Sequence, residues 1–373
     1  MTSRRASRDH LSAFAVVVAL LGLGLAGCQD SGPPLGSGGF LYTANLFVSS
    51  VGGYGINATT GALDELTGFP FRPLDNTPTL LELHPSGDFL YVLVGDPPGI
   101  IAYRIARDSG ALHEVPGSPF PAAGIPIRAH PSGKFLLALD YDHDQIAVLP
   151  IDPATGALGP VGPPVTTGDG PVDAVFTTTG TLIFVSNGLD DTISVFRFDN
   201  TTGALTPAPS PVSVSDGVNR LAIAGEFLYV ASGGLGLISA FHIDLATGAL
   251  TPVSGSPFLS NGVAGRIVVS PDAKFLYASN GDRDTISAYG IDGATGALTP
   301  IPGSPFAAEG TRPGALAVYP SGGLLYVGTV SGNISAYRID STTGALTRVT
   351  GSPFPGGGTP EAIAIAPHRG PFQ

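Results

Sequence analysis

The tripeptide Gly-Ala-Leu recurs seven times, with its glycine at Gly61, Gly110, Gly156, Gly203, Gly248, Gly296 and Gly344, at intervals of 45 to 49 residues. A period in the forties leaves few architectures open. Helical repeats of that length show a 3.6-residue apolar period, which is absent here, whereas units of four short strands are propeller blades. One unit reads through clearly. Residues 265–270 form a buried strand, Pro271-Asp272-Ala273 turns the chain, and residues 274–279 and 285–291 form a second and a third strand. Asp292-Gly293-Ala294-Thr295-Gly296 makes a tight hairpin. Residues 297–301 follow as a short rim strand in which Pro300 suits an edge, and Gly303-Ser304-Pro305-Phe306 leads back inward.

The ends of the repeat predict how the ring closes. Its regular part opens on a second-strand sequence at residues 40–45 and finishes on an inner-strand sequence at residues 361–366, so each end is an incomplete blade. The expected fold is all-β: a seven-bladed β-propeller with four antiparallel strands per blade, in which residues 361–367 complete the first blade and remove an exposed pairing edge. Length alone would allow two or three domains in 373 residues; the repeat predicts one, over residues 40–373. Gly 53 and Pro 35, with only 12% charged residues, agree with a turn-dense β structure.

The segment before the repeat reads as an address. Arg4, Arg5 and Arg8 precede an apolar run over residues 11–26, too short to span a bilayer, and Leu25-Ala26-Gly27-Cys28 resembles the lipobox of bacterial lipoproteins. Residues 1–27 are expected to be a signal peptide, Cys28 the lipidated first residue of the mature chain, and residues 28–39 a flexible tether. The protein would then sit in the cell envelope on its lipid, at the outer membrane where the host has one, because Gln29 is not the aspartate associated with inner-membrane retention. Gly22-Leu23-Gly24-Leu25-Ala26-Gly27 matches a dinucleotide-binding pattern only on paper, since it lies inside the leader and follows no strand.

Composition excludes several chemistries. The net charge of −12, with no basic block after residue 10, argues against nucleic acid as a partner. A single cysteine forms no intramolecular disulfide and no thiolate metal cage. No Gly-x-Ser-x-Gly elbow or phosphate-binding loop occurs, and Asp140-Tyr141-Asp142-His143-Asp144 departs from a calcium loop at Gln145 and Ile151. No cofactor and no metal are expected, and the chain is read as a monomer.

Three features carry a resemblance to a known family. They are second strands such as Phe227-Leu228-Tyr229-Val230-Ala231, Thr-Ile-Ser third strands at Thr192 and Thr285, and His-Pro-Ser-Gly turns at His84 and His130. The sequence resembles YVTN-type β-propellers of the lactonase family, which includes bacterial phosphogluconolactonases and fungal muconate-lactonizing enzymes. The resemblance implies an Arg-His pair at the start of an inner strand. Here the equivalents read Asn219-Arg220-Leu221 and Gly265-Arg266-Ile267, with an aliphatic residue in place of the histidine.

Strand direction separates two faces. The connections between second and third strands share one face with the starts of the inner strands, and they vary from blade to blade, as binding loops do. Aligned on their turns, the inner strands bring Asp173, Arg220 and Arg266 to one level, Glu82 and Arg128 two residues deeper, and Glu361 one residue nearer the mouth. Arg220, Arg266, Asp173 and Glu361 are the candidate catalytic set. Glu82 and Arg128, with Asp142, Asp190 and Asp284 on the acidic loops, are candidate ligand-binding residues. A mixed ionic cluster of this kind either clamps a small acid or pairs internally and plugs the channel. His84 and His130 lie at the far ends of their strands and read as turn-packing residues. The expected role is a binding module for a protein or a small anionic or carbohydrate ligand, acting through the loop-rich face. The alternative is a lactonase-type hydrolase or isomerase of sugar-acid lactones, with an open mouth and unpaired arginines as its mark.

Overall fold

The computed structural model describes residues 38–71, 77–95, 98–121, 124, 126–208, 211–214, 217–234 and 236–368. Cys28, the leader before it and Asp96 lie outside these residues. The described chain forms seven antiparallel sheets. In the first blade Gly39–Asn45 pairs on one side with Ser50–Ile56 and on the other with the closing strand Pro360–Pro367, in register from Gly39 opposite Pro367 to Ala44 opposite Ala362, with a one-residue shift before Asn45 meets Pro360. The two ends of the repeat therefore share one sheet.

No blade holds its own core. The buried apolar residues fall into seven clusters, each drawn from two adjacent sheets, and the last joins Leu324, Tyr326 and Ile334 of the seventh blade to Leu41, Tyr54 and Ile56 of the first. Each sheet is twisted and apolar on both faces, and it buries them against its two neighbours. Second strands such as Phe227–Ser232 and Phe275–Asn280 are buried at every position, which is why they read as continuous apolar runs.

The repeated glycine stitches these interfaces. All seven have φ between +70° and +83°, the left-handed region of the hairpin bulge. A Cβ on Gly156 would fall 2.3 Å from the ring of Phe89 in the preceding blade, and one on Gly296 would fall 2.3 Å from Phe227. In five blades the carbonyl of this glycine accepts the hydroxyl of the preceding blade's second-strand tyrosine, as from Tyr91 to Gly156 at 3.1 Å and from Tyr326 to Gly61 at 3.0 Å.

The rim differs from the expected single short strand. In five blades it consists of two pieces: in the sixth, Leu298–Pro300 pairs with one end of Thr285–Ile291 and Phe306–Ala307 with the other. In the third blade Val165–Thr166 is all that remains as a rim strand. Pro160, Pro163 and Pro164 supply no ladder donors there.

Candidate functional site

Antiparallel pairing sends every inner strand from the mouth face toward the opposite face, so residues one register step apart form rings around the axis. Leu80, Asp173, Arg220, Ala315 and Ala362 pair respectively with Leu93, Ser186, Ala231, Gly328 and Ala44 of their second strands, which puts them at one level. Arg266 joins them through its N–H, which donates to Ser279 Oγ. Glu82 and Arg128 lie opposite Tyr91 and Leu137, two residues deeper. Six inner strands carry a register shift at their mouth end, and this local kink precedes the axial side chains.

The carboxylates and cations divide into a closed half and an open half. Arg128 donates to Asp173 at 2.5 Å and to Glu82 at 3.3 Å, while its Nε donates to the carbonyl of Ala174. Asp173, only 2% exposed, uses its other oxygen to accept the N–H of Leu221 at 3.0 Å. Burial would raise the Asp173 pKa, but Arg128, Arg220 and Arg266 and the Leu221 N–H together hold it below the usual carboxylate range. Burial dominates for Glu82, which is raised although Arg128 and the Ala129 N–H (2.9 Å) oppose the shift. This half of the cluster is the internal plug that the sequence allows.

Arg220 and Arg266 form the open half. Among the described residues neither has a carboxylate oxygen within 4.0 Å. Their guanidinium groups reach only backbone: Arg220 donates to the carbonyl of Val172 at 3.0 Å, and Arg266 to that of Glu361 at 3.4 Å. Burial and the like charges of Arg220 and Arg128 push Arg266 down to about 9, so it is still a cation at neutral pH. Two half-buried cations side by side, neither in an ion pair among the described residues, can receive an anion. Both line a mouth cavity of about 260 Å³ and a deeper chamber of about 200 Å³, and the deeper one also holds Glu82, Arg128 and Asp173. Among the described residues no carboxylate lines the mouth cavity. Glu361 stands beside Gly314, and its side chain forms no ion pair among the described residues.

The acidic loops are engaged elsewhere. Asp144, Asp191 and Asp284 occupy the left-handed region at φ of 55°, 54° and 53°. Their carboxylates accept the N–H groups of Gly170, Val218 and Arg312, which begin the next blade's inner strand. Asp190 accepts from Thr192 and from the Asp169 N–H. Asp142 is exposed to solvent. None of Asp142, Asp190 and Asp284 reaches either axial cavity, so these three candidates are separate from the axial group. On the far face the Nε2 atoms of His84 and His130 bond the carbonyls of Gly133 and Gly180 in the next blade, a turn-packing arrangement. Sequence reasoning missed Tyr141 and Asn219 as mouth residues. The available signals were an aromatic residue at an otherwise acidic hairpin tip and a polar residue directly before Arg220.

Among the described residues no group of three or more His, Cys, Asp or Glu side chains could hold a metal ion, and no helix is long and apolar enough to cross a membrane. Solved structures share the fold. A candidate 6-phosphogluconolactonase of Bacteroides uniformis is 20% identical with a TM-score of 0.76, over 87% of this chain and 98% of its own. One from Bacteroides fragilis is 21% identical, also at 0.76, over 88% and 98%. The periplasmic gluconolactonase of Pseudomonas aeruginosa is 20% identical at 0.72, over 88% and 99%. No curated protein matches the chain. Residues 121–221 and 224–360 match the family described as Lactonase, 7-bladed beta-propeller, and the chain belongs to that family.

Proposed function

We propose that the protein hydrolyses the lactone of a small organic acid at the mouth of the propeller axis. This is the lactonase reading, favoured over a binding module because most of the loop carboxylates serve the scaffold while the axial arginines face a cavity. The observation that carries it is the adjacent pair Arg220 and Arg266, half-buried and in no ion pair among the described residues, in the wall common to both axial cavities. Membership of the lactonase family supports this reaction class, and solved neighbours of the same fold are described as a candidate 6-phosphogluconolactonase and a periplasmic gluconolactonase.

In this reading the guanidinium groups hold the acid group of the ligand and stabilise the oxyanion that forms as water adds to the lactone carbonyl. Water occupying the deeper chamber loses its proton to Glu82, whose raised pKa makes it a better base at neutral pH than an ordinary carboxylate. The ring C–O bond then breaks, the departing alkoxide takes up that proton, and a hydroxy acid leaves. Asp173, held below the usual carboxylate range, acts as a fixed anion that keeps Arg128 in place. Glu361 flanks Arg266 through its backbone carbonyl. Without the family's histidine, the glutamate supplies the base.

The test is turnover of a panel of anionic lactones, with Arg220→Ala, Arg266→Ala and Glu82→Gln compared with the parent. Each arginine variant is expected to lose roughly 10²-fold or more in kcat/KM while retaining its unfolding midpoint within a few degrees. The acid limb of the pH profile should lie above the usual carboxylate range and disappear in Glu82→Gln. Full activity in both arginine variants would refute the assignment.

A further inference from the structure

The closed half of the axial cluster joins three blades unequally. Arg128 of the third blade lies 2.5 Å from Asp173 of the fourth and 3.3 Å from Glu82 of the second. The nitrogen that reaches Glu82 also reaches the Ile127 carbonyl at 3.4 Å, so its hold on that carboxylate is both longer and shared. Asp173 is fixed from its other side, where its second oxygen accepts the Leu221 N–H of the fifth blade. Its side chain is also the drier one, 2% exposed against 18% for Glu82. A shorter and better buried charge-assisted bond is the stronger one, which gives Asp173 first claim on the guanidinium. Arg220 and Arg266 line the same chamber, and the Glu361 carbonyl receives Arg266. Farther along its strand, His84 has both ring nitrogens bonded on the far face, and Tyr91, opposite Glu82, gives its hydroxyl to the Gly156 carbonyl. The two carboxylates are displaced oppositely: Asp173 lies below the usual carboxylate range and Glu82 is raised.

From this geometry we infer that Asp173 is a positioning residue for Glu82: by holding Arg128 on its own side it keeps the guanidinium from closing on Glu82, and so leaves that carboxylate able to take up a proton. The inference rests on the lactonase reading, in which Glu82 is the base, and deepens it by naming the group that sets this base. An asparagine at position 173 keeps an oxygen for the Leu221 N–H but turns an N–H toward the N–H groups of Arg128. The guanidinium is then released toward Glu82, and the negative charge beside Glu82 is gone. Both changes favour the ionised form of Glu82 and make it a weaker base. Removing Arg128 instead leaves Glu82 buried beside Asp173 with no cation between them, which favours the protonated form.

The experiment follows the Glu82 carboxyl directly, by carbon-13 NMR titration of protein labelled at the glutamate side-chain carboxyl, with Glu82→Gln assigning the signal. The Glu82 midpoint should fall by about one pH unit in Asp173→Asn and rise by about one pH unit in Arg128→Gln. A merely loosened fold would carry Glu82 toward its ordinary value, downward in both variants. The inference stands only on opposite displacements, and any other pattern overturns it. Asp173→Ser, which removes the same charge with less bulk, replaces the asparagine variant if that one does not fold. The acid limb of kcat/KM on the lactone panel separates the two readings. Opposite displacements in a protein that hydrolyses no lactone refute the hydrolase and keep the coupling of Asp173 to Glu82. Turnover whose acid limb stays in place in Asp173→Asn keeps the hydrolase and overturns the inference.

Discussion

A glycine series separates the two reasons for the repeated Gly-Ala-Leu. Gly156→Ala forces a left-handed φ of +77° on a residue with a side chain and drives its Cβ to 2.3 Å from the Phe89 ring. Gly225 has a positive φ of +59° and nothing within 4 Å, so its alanine variant meets only the backbone penalty. Gly293 has neither a positive φ nor a close neighbour. The left-handed conformation costs about 1–2 kcal/mol and overpacking a closed interface costs about 1–3 kcal/mol more. The expected losses are therefore about 2–5 kcal/mol for Gly156→Ala, about 1–2 kcal/mol for Gly225→Ala and close to zero for Gly293→Ala. Urea unfolding of the three variants, monitored by tyrosine fluorescence and far-ultraviolet circular dichroism together, measures these differences. Equal losses at Gly156 and Gly225 would show that contact with the preceding blade contributes nothing, and the interface account of the repeat would fail.

Two further outcomes follow from the structure. The His130 pKa is lowered, chiefly by burial, so the folded state binds this proton less readily than the unfolded chain. Its contribution to stability is complete above the unfolded value near 6.5 and declines as pH falls below it, with a slope of at most about 1.4 kcal/mol per pH unit. A His130→Asn variant should show a shallower loss of unfolding midpoint between pH 7 and 5; an unchanged slope would remove His130 from the acid response. Cys28→Ser should move the full chain, expressed in a Gram-negative host, from the detergent to the aqueous phase on phase partitioning, and partitioning unaltered by the substitution would exclude lipidation at that residue.

The fold was legible because the tripeptide marks a backbone requirement that recurs once per blade. The levels of the axial residues were legible because inner strands differ little in length between turn and mouth. Partnership across blades was not. Asp190 and Asp284 have the residue type and loop position of ligand-binding groups, yet their carboxylates meet backbone N–H groups some 20 to 30 residues away. Nothing local distinguishes an aspartate aimed at solvent from one aimed at the adjoining blade. Equally, six charges on inner strands gave no sign of how they would divide. That Arg128 is clamped while Arg220 and Arg266 are not depends on which blades stand side by side: Arg128 has carboxylates on both flanks, and Arg220 has Asp173 on one flank and a second arginine on the other. The second strand of the sixth blade, read over residues 274–279, lies one residue along at Phe275–Asn280, whereas the returning rim pieces such as Phe306–Ala307 are too short for any pattern.

The strand Pro360–Pro367 carries Glu361, whose carbonyl receives Arg266. Without that strand beside Gly39–Asn45, the first blade would keep three of its four strands, and the axial chamber would lack the lining that Ala362 and Ile363 provide. One strand pairing thus does two jobs at once: it joins the two ends of the repeat in a single sheet and supplies part of the lining of the axial chamber.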